Sequence, residues 1–151
     1  MKPKYTEFVE TILDSIADGV FTIDRKNVIT SFNKAAERIT GYTKEEAVGR
    51  FCYDIFRANI CQGACALEEA LQTESDVVDR QLNIINREGT TIPISVSASV
   101  LKDKNGNAIG GVETFRDLSD NMVSSTVNNF LSISSIDFLY LVMSSSRSVV
   151  L

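Results

Sequence analysis

Apolar residues in the first sixteen positions recur at helical spacing. Tyr5, Phe8, Val9, Ile12, Leu13 and Ile16 follow an i, i+3, i+4, i+7 pattern, with Glu7, Glu10 and Asp14 between them and Asp18-Gly19 ending the run. This predicts an amphipathic helix over residues 5–16. The pattern then switches to alternation. "VFTID" and "NVITSF" are short β-branched and aromatic runs joined through Arg25-Lys26, a hairpin signature with strands at 20–24 and 28–32. Two brief helices follow. "NKAAERIT" starts at Asn33, a good N-cap, and closes at Gly41, while "TKEEAVG" has Thr43 as N-cap, Glu46 at the capping-box position and Gly49 at its end. Further on, "ALEEALQTE" has high helix propensity.

From Val77 the alternation is sustained. "VVDRQLNIINREG", "TIPISVSASVLKD" and "AIGGVETFRDL" are separated by the turns "REGT" and "KNGN", which predicts strands at 77–86, 91–102 and 108–116. In the middle one, Ile92, Ile94, Val96, Ala98 and Val100 form the core-facing row, because Pro93, Ser95, Ser97 and Ser99 between them are mostly polar. The expected fold is α+β: a five-stranded antiparallel sheet with short helices on one face and an N-terminal amphipathic helix. Residues 1–18 form that helix, 19–120 the sheet domain, and 121–151 a Ser-rich, nearly uncharged tail without a heptad. The tail's "IDFLYLVM" is too short to span a membrane, and its flanks suggest a truncated or frame-altered reading frame.

Composition narrows the function classes. The chain has 151 residues, 44% hydrophobic and 23% charged, enough for one ordinary core without disulfide staples. A net charge of −5 offers no electrostatic reason for direct contact with nucleic acid or anionic membranes. The N-terminus lacks the continuous apolar run of a secretory signal, so the cytoplasm is expected. In that compartment thiols stay reduced, and an odd count of three cysteines argues against a disulfide framework. There is no histidine, no Gly-rich phosphate loop before a helix and no nucleophile elbow, so no enzymatic activity is expected.

Particular residues add a resemblance. "ILDSIADGVFTIDRKNVITSFNKAAERITGYTKEEAVGR", with its "GVFTID", "N.AAE.ITGY" and "EEAVGR" elements, and "NREGTTIPISVSASVLKDKNGNAIGGVETFRDLS" together resemble the PAS sensor family over residues 8 to 120. The resemblance implies a sensory module that binds a small ligand between sheet and helices and regulates a linked effector. That effector would be a histidine kinase or a transcription regulator of the NtrC-like class. A second implied reading is a cofactor-free interaction module that forms a homodimer through its N-terminal helix.

Candidate cofactors follow residue by residue. A haem held by histidine is excluded, because the chain has none. Gly49-Arg50-Phe51-Cys52 reproduces part of the "GRNCRFLQ" motif of the light-sensing flavin subfamily, but Phe51 replaces its Asn and Tyr53-Asp54-Ile55-Phe56 replaces "RFLQ". The two asparagines that grip the flavin edge fall at Ile84 and Ile94, which would leave buried polar atoms unpaired at roughly 1–3 kcal/mol each. Flavin is therefore disfavoured. The aromatic Phe21, Phe32, Phe51, Phe56 and Phe115 are expected in the core.

All three cysteines, Cys52, Cys61 and Cys65, lie in the single stretch "FCYDIFRANICQGAC" and are the candidate cofactor- and metal-binding residues. If the following helix begins by Gln62, Cys61 and Cys65 share a face near its N-terminus, a setting that suits metal ligation and redox chemistry. The spacing resembles one found in PAS modules of NtrC-like activators. A closed zinc site needs a fourth ligand, from Asp54, Glu68, water or a partner chain, whereas three thiolates can hold a four-iron iron–sulfur cluster with one open iron. Metal or iron–sulfur centre, thiol redox switch and small apolar packing all remain open.

Overall fold

Each hairpin is closed by the same device, an Asp or Asn side chain that accepts backbone N–H groups further along its turn. Asp24 accepts from Lys26 at 2.8 Å and Val28 at 3.1 Å, Asn86 from Thr90 at 2.8 Å, and Asp103 from Asn105 at 2.8 Å and Asn107 at 2.9 Å. In the computed structural model, which describes residues 4–59 and 65–120, these turns join the strands of one antiparallel sheet. The elements in chain order are α1 (Lys4–Ser15), β1 (Gly19–Asp24), β2 (Ile29–Phe32), α2 (Lys34–Thr40), α3 (Lys44–Ala47), α4 (Cys52–Phe56), α5 (Ala66–Thr73), β3 (Val77–Ile85), β4 (Thr91–Lys102) and β5 (Ala108–Asp117). The sheet order is β2-β1-β5-β4-β3, so the last strand enters the centre. The chain divides into Met1–Leu118 and Ser119–Leu151, and every element belongs to the first unit. The expected tail, 121–151, lies outside the described residues.

The expected register holds in β4. Ile92, Ile94, Val96 and Ala98 are buried, Val100 is half-buried, and the intervening serines lie toward solvent. Two strands depart from regular alternation. β2 starts one residue later than expected, because Val28 makes an isolated bridge to Phe51 instead. In β3, Val77 pairs with Ala98 but Arg80 with Val96, so one extra residue bulges. Asp79 sits there at φ 54°, with its N–H donating to Ser97 Oγ and its carboxylate accepting from Ser95. The inward parity of β3 therefore changes from Val77 to Leu82 and Ile84.

Helices cover one sheet face. The α3 cap is a full capping box between Thr43 and Glu46, and α2 closes at Gly41 in the left-handed conformation. α5 packs against the sheet at Gly111, where an added Cβ would lie 2.6 Å from Leu67 Cδ1, so any larger residue would force the Leu67 side chain to shift. Phe56 of α4 stacks on Phe21 at 4.5 Å and meets Phe115 edge-on at 5.1 Å, with Phe32 at 6.3 Å. Phe51 departs from the expected core position. It is 41% exposed and stacks on Tyr53, because its backbone is committed to bridging Val28. Among the described residues no helix is long and apolar enough to cross a membrane.

Asn33 ties the N-terminal half together. It is 1% exposed, and its Oδ1 accepts from the N–H groups of Val20 and Ala36, both at 2.9 Å. Its Nδ2 donates to the carbonyls of Leu13 at 2.9 Å and Asp18 at 3.0 Å. One amide thus caps α2, starts β1 and holds the end of α1. Asn33→Ala strands four backbone groups and removes the cap, an expected loss of about 2–4 kcal/mol in urea denaturation. Hydrogen exchange should speed most over residues 13–20; unchanged protection there would contradict this role.

Candidate functional site

Between the sheet and the helices lies a cavity of about 40 Å³, walled by Phe21 on β1, Phe56 on α4, Leu67 on α5, Leu82 and Ile84 on β3, and Ile94 on β4. Its other walls come from Ala58, Ala66, Cys52, Cys65 and Glu113. Most of this lining is carbon.

Two of the three candidate cysteines line this cavity. Cys52 opens α4, half-buried, its N–H donating to the Asn27 carbonyl at 3.0 Å. Cys65 is the N-cap of α5, also half-buried, its carbonyl accepting from the Glu69 N–H at 3.0 Å. Both are thiols rather than disulfide partners. Cys61 lies outside the described residues. α5 begins at Ala66, so the condition that would put Cys61 and Cys65 on one helical face, a start by Gln62, is not met. No Ser, Thr, Asp or Asn stands in the described cap position, and Cys65 makes no side-chain cap bond. Asp54 and Glu68 are exposed and do not complete a ligand set: among the described residues no three Cys, Asp or Glu side chains are grouped to hold a metal.

The site contains a residue that the pattern reading passed over. Glu113 lies on β5 opposite Phe21 of β1 and Ala98 of β4, only 9% exposed, and lines the cavity. Its carboxyl has no hydrogen-bond or ion-pair partner among the described residues. Burial alone raises its pKa from an ordinary 4.5 to about 8, so it is protonated at neutral pH. The available signal was parity: Gly111, Glu113 and Phe115 alternate on the inward face of β5.

Surface carboxylates shift the other way. The Lys34 side chain bonded to Glu37, and the Thr43 N–H donating to Glu46, hold both carboxyls below the usual value. Their contribution is present at higher pH and fades as pH falls below the ordinary carboxylate range. Glu113 keeps its proton in the fold to about pH 8, whereas the unfolded chain releases it near 4.5. Its contribution is thus complete below 4.5 and is lost as pH rises toward 8. Among the described groups with a shifted pKa, Glu113 is the one whose shift spans pH 5 to 8. Stability should fall by a few kcal/mol across that window. Glu113→Gln should flatten the decline in urea melts; an equal decline in both proteins would refute the assignment.

Comparison with known proteins places this geometry. The family profile described as "PAS domain" matches residues 17–120. The signal transduction histidine-protein kinase AtoS of Escherichia coli (strain K12) is 34% identical over 110 residues, covering 73% of this chain and 18% of that kinase. The chain therefore spans under a fifth of that relative's length. Among solved structures, the PAS domain of a protein from Colwellia psychrerythraea aligns with a TM-score of 0.65 at 17% identity, covering 78% of this chain and 99% of that one. An RNA-binding Light-Oxygen-Voltage receptor aligns at 0.67 and 15% identity, covering 87% and 39%. The profile takes in the whole sheet and the helices that wall the cavity, and on that ground the chain belongs to the PAS domain family.

Proposed function

We propose that this PAS domain is a cytoplasmic, non-catalytic sensory module that reports an event at its cavity to a linked effector, a histidine kinase or a transcription regulator. One observation carries the reading: Cys52 and Cys65, from the starts of two different helices, line the same cavity. Cys61 falls in the segment between those helices, so the three thiols form the proposed centre, as an iron–sulfur or zinc site or as a redox switch. The similarity to AtoS supports a kinase as the effector.

A flavin does not fit this lining. Ile84 and Ile94, each 1% exposed, present carbon where the polar ring edge would need partners. The enclosed part of the cavity, about 40 Å³, is also far too small for the three fused rings of a flavin.

The test compares parent protein with a triple Cys52→Ser, Cys61→Ser, Cys65→Ser variant, both prepared without oxygen. The parent should carry iron or zinc, or change its absorbance with oxidant, and the folded variant should do neither. Equal metal content and equal oxidant response in the two would leave the cysteines as packing residues.

A second reading has its own observation. Tyr5, Phe8, Ile12 and Ile16 of the N-terminal segment are 78%, 62%, 45% and 38% exposed, an apolar stripe that the monomer leaves in water. Covering Phe8, Ile12 and Ile16 with a second copy would stabilise a homodimer by roughly 1.5–3 kcal/mol for each side chain fully buried. Light scattering at tens of micromolar should show a dimer that Phe8→Glu/Ile12→Glu converts to monomer. A monomeric parent would remove this version.

A further inference from the structure

The carbon-walled cavity holds one unexplained polar group. Burying a carboxyl without a partner costs stability, and the neighbouring lining positions show what a purely structural choice looks like: Phe21, Leu82, Ile84 and Ile94. Glu113 projects from the centre of the sheet into that space, without a partner among the described residues. We infer that Glu113 is the polar anchor of the cavity and that the cavity takes a small, uncharged, largely apolar molecule bearing one hydrogen-bond acceptor, such as a carbonyl. This inference rests on the reading of the cavity as the sensory site.

Charge and size select the class. Among the described lining residues there is no Lys or Arg, so an anion would meet no counter-charge there and would face a carboxyl. An organic ammonium ion, which the cysteine thiols cannot ligate, would have to shed its water among aliphatic and aromatic walls for a single carboxyl. A neutral acceptor has neither problem. The protonated Glu113 donates its O–H to the ligand oxygen, and the rest of the molecule rests on Phe21, Leu82 and Ile94. The volume restricts the enclosed part to a few heavy atoms. Among the described lining residues, Cys52 on α4 and Cys65 before α5 are the other ionisable side chains; β1, β3 and β4 contribute none.

The test uses three probes of five heavy atoms each: butan-2-one, propionate and sec-butylammonium. Each is titrated to tens of millimolar into the full chain at pH 6.5 and followed by amide and methyl NMR shifts. Butan-2-one should bind and move resonances of Leu82, Ile94 and Glu113, and the two ions should bind at least tenfold more weakly. Glu113→Gln, which keeps a donor, should retain affinity within about threefold; Glu113→Leu should lose about tenfold or more. Raising the pH from 6.5 to 9.5 should weaken butan-2-one binding in the parent but not in Glu113→Gln, which retains both thiols.

Tighter binding of sec-butylammonium, undiminished affinity in Glu113→Leu, or no localised shifts in the parent would each overturn the inference. A parent that holds metal through its cysteines yet ignores butan-2-one would also overturn it, while leaving the cysteine reading intact. Butan-2-one binding that persists in the triple Cys→Ser variant would uphold it even where the thiols prove inert.

Discussion

One side-chain amide sets the geometry of the N-terminal half. Asn33 can satisfy two donors and two acceptors only if the end of α1, the start of β1 and the first turn of α2 meet at one point. Its own N–H also bonds to the Val20 carbonyl at 3.0 Å. The junction extends to the end of β5, where Arg116 forms a two-pronged contact with Asp18 at 3.0 and 2.9 Å. The entry to the domain and the exit from its last strand are therefore held at the same corner. Arg116 is largely exposed, so this second tie is weaker than the buried amide.

The cavity shows the opposite economy. Asn33 is buried and fully satisfied, whereas Glu113 is buried and lacks a described partner, although both lie on inward-facing positions. The fold itself pairs the first and leaves the second facing the cavity. Glu113 also lies on the same strand as Arg116, so the cavity and the entry–exit corner are connected through one rigid, centrally paired element.

Much of this was legible in the sequence, and the limits have physical causes. The caps at Asn33 and Thr43 and the polar turns act over a few residues, so local spacing revealed them. The β4 row was readable because one face meets helices and the other meets solvent. Asn33's reach to Leu13 and Asp18 depends on chain return and left no local mark. The β3 bulge was hidden because Asp79 adopts positive φ without a glycine to signal it. The clustering of Cys52, Cys61 and Cys65 pointed to one region, but the shared cavity of Cys52 and Cys65 required the sheet beneath them. Glu113 was missed because an acid in an alternating strand reads as solvent-facing, and only strict parity with Phe115 places it inside.

The segment around α4 does more than carry a cysteine. On one side, the Ile29 N–H donates to the Arg50 carbonyl at 2.8 Å and the Gly49 N–H to the Ile29 carbonyl at 2.9 Å, along the outer edge of β2. On the other, the Asn59 N–H reaches the Asn83 carbonyl at 3.3 Å, and the Arg57 guanidinium reaches the carbonyls of Ile85 and Asn86, along the outer edge of β3. One short stretch of chain thus fastens both margins of the sheet. A sheet whose terminal strands are partly engaged is a poorer template for adding strands from another molecule, so edge pairing is disfavoured at both margins. Substitutions that loosen this strap would be felt first as a tendency to polymerise.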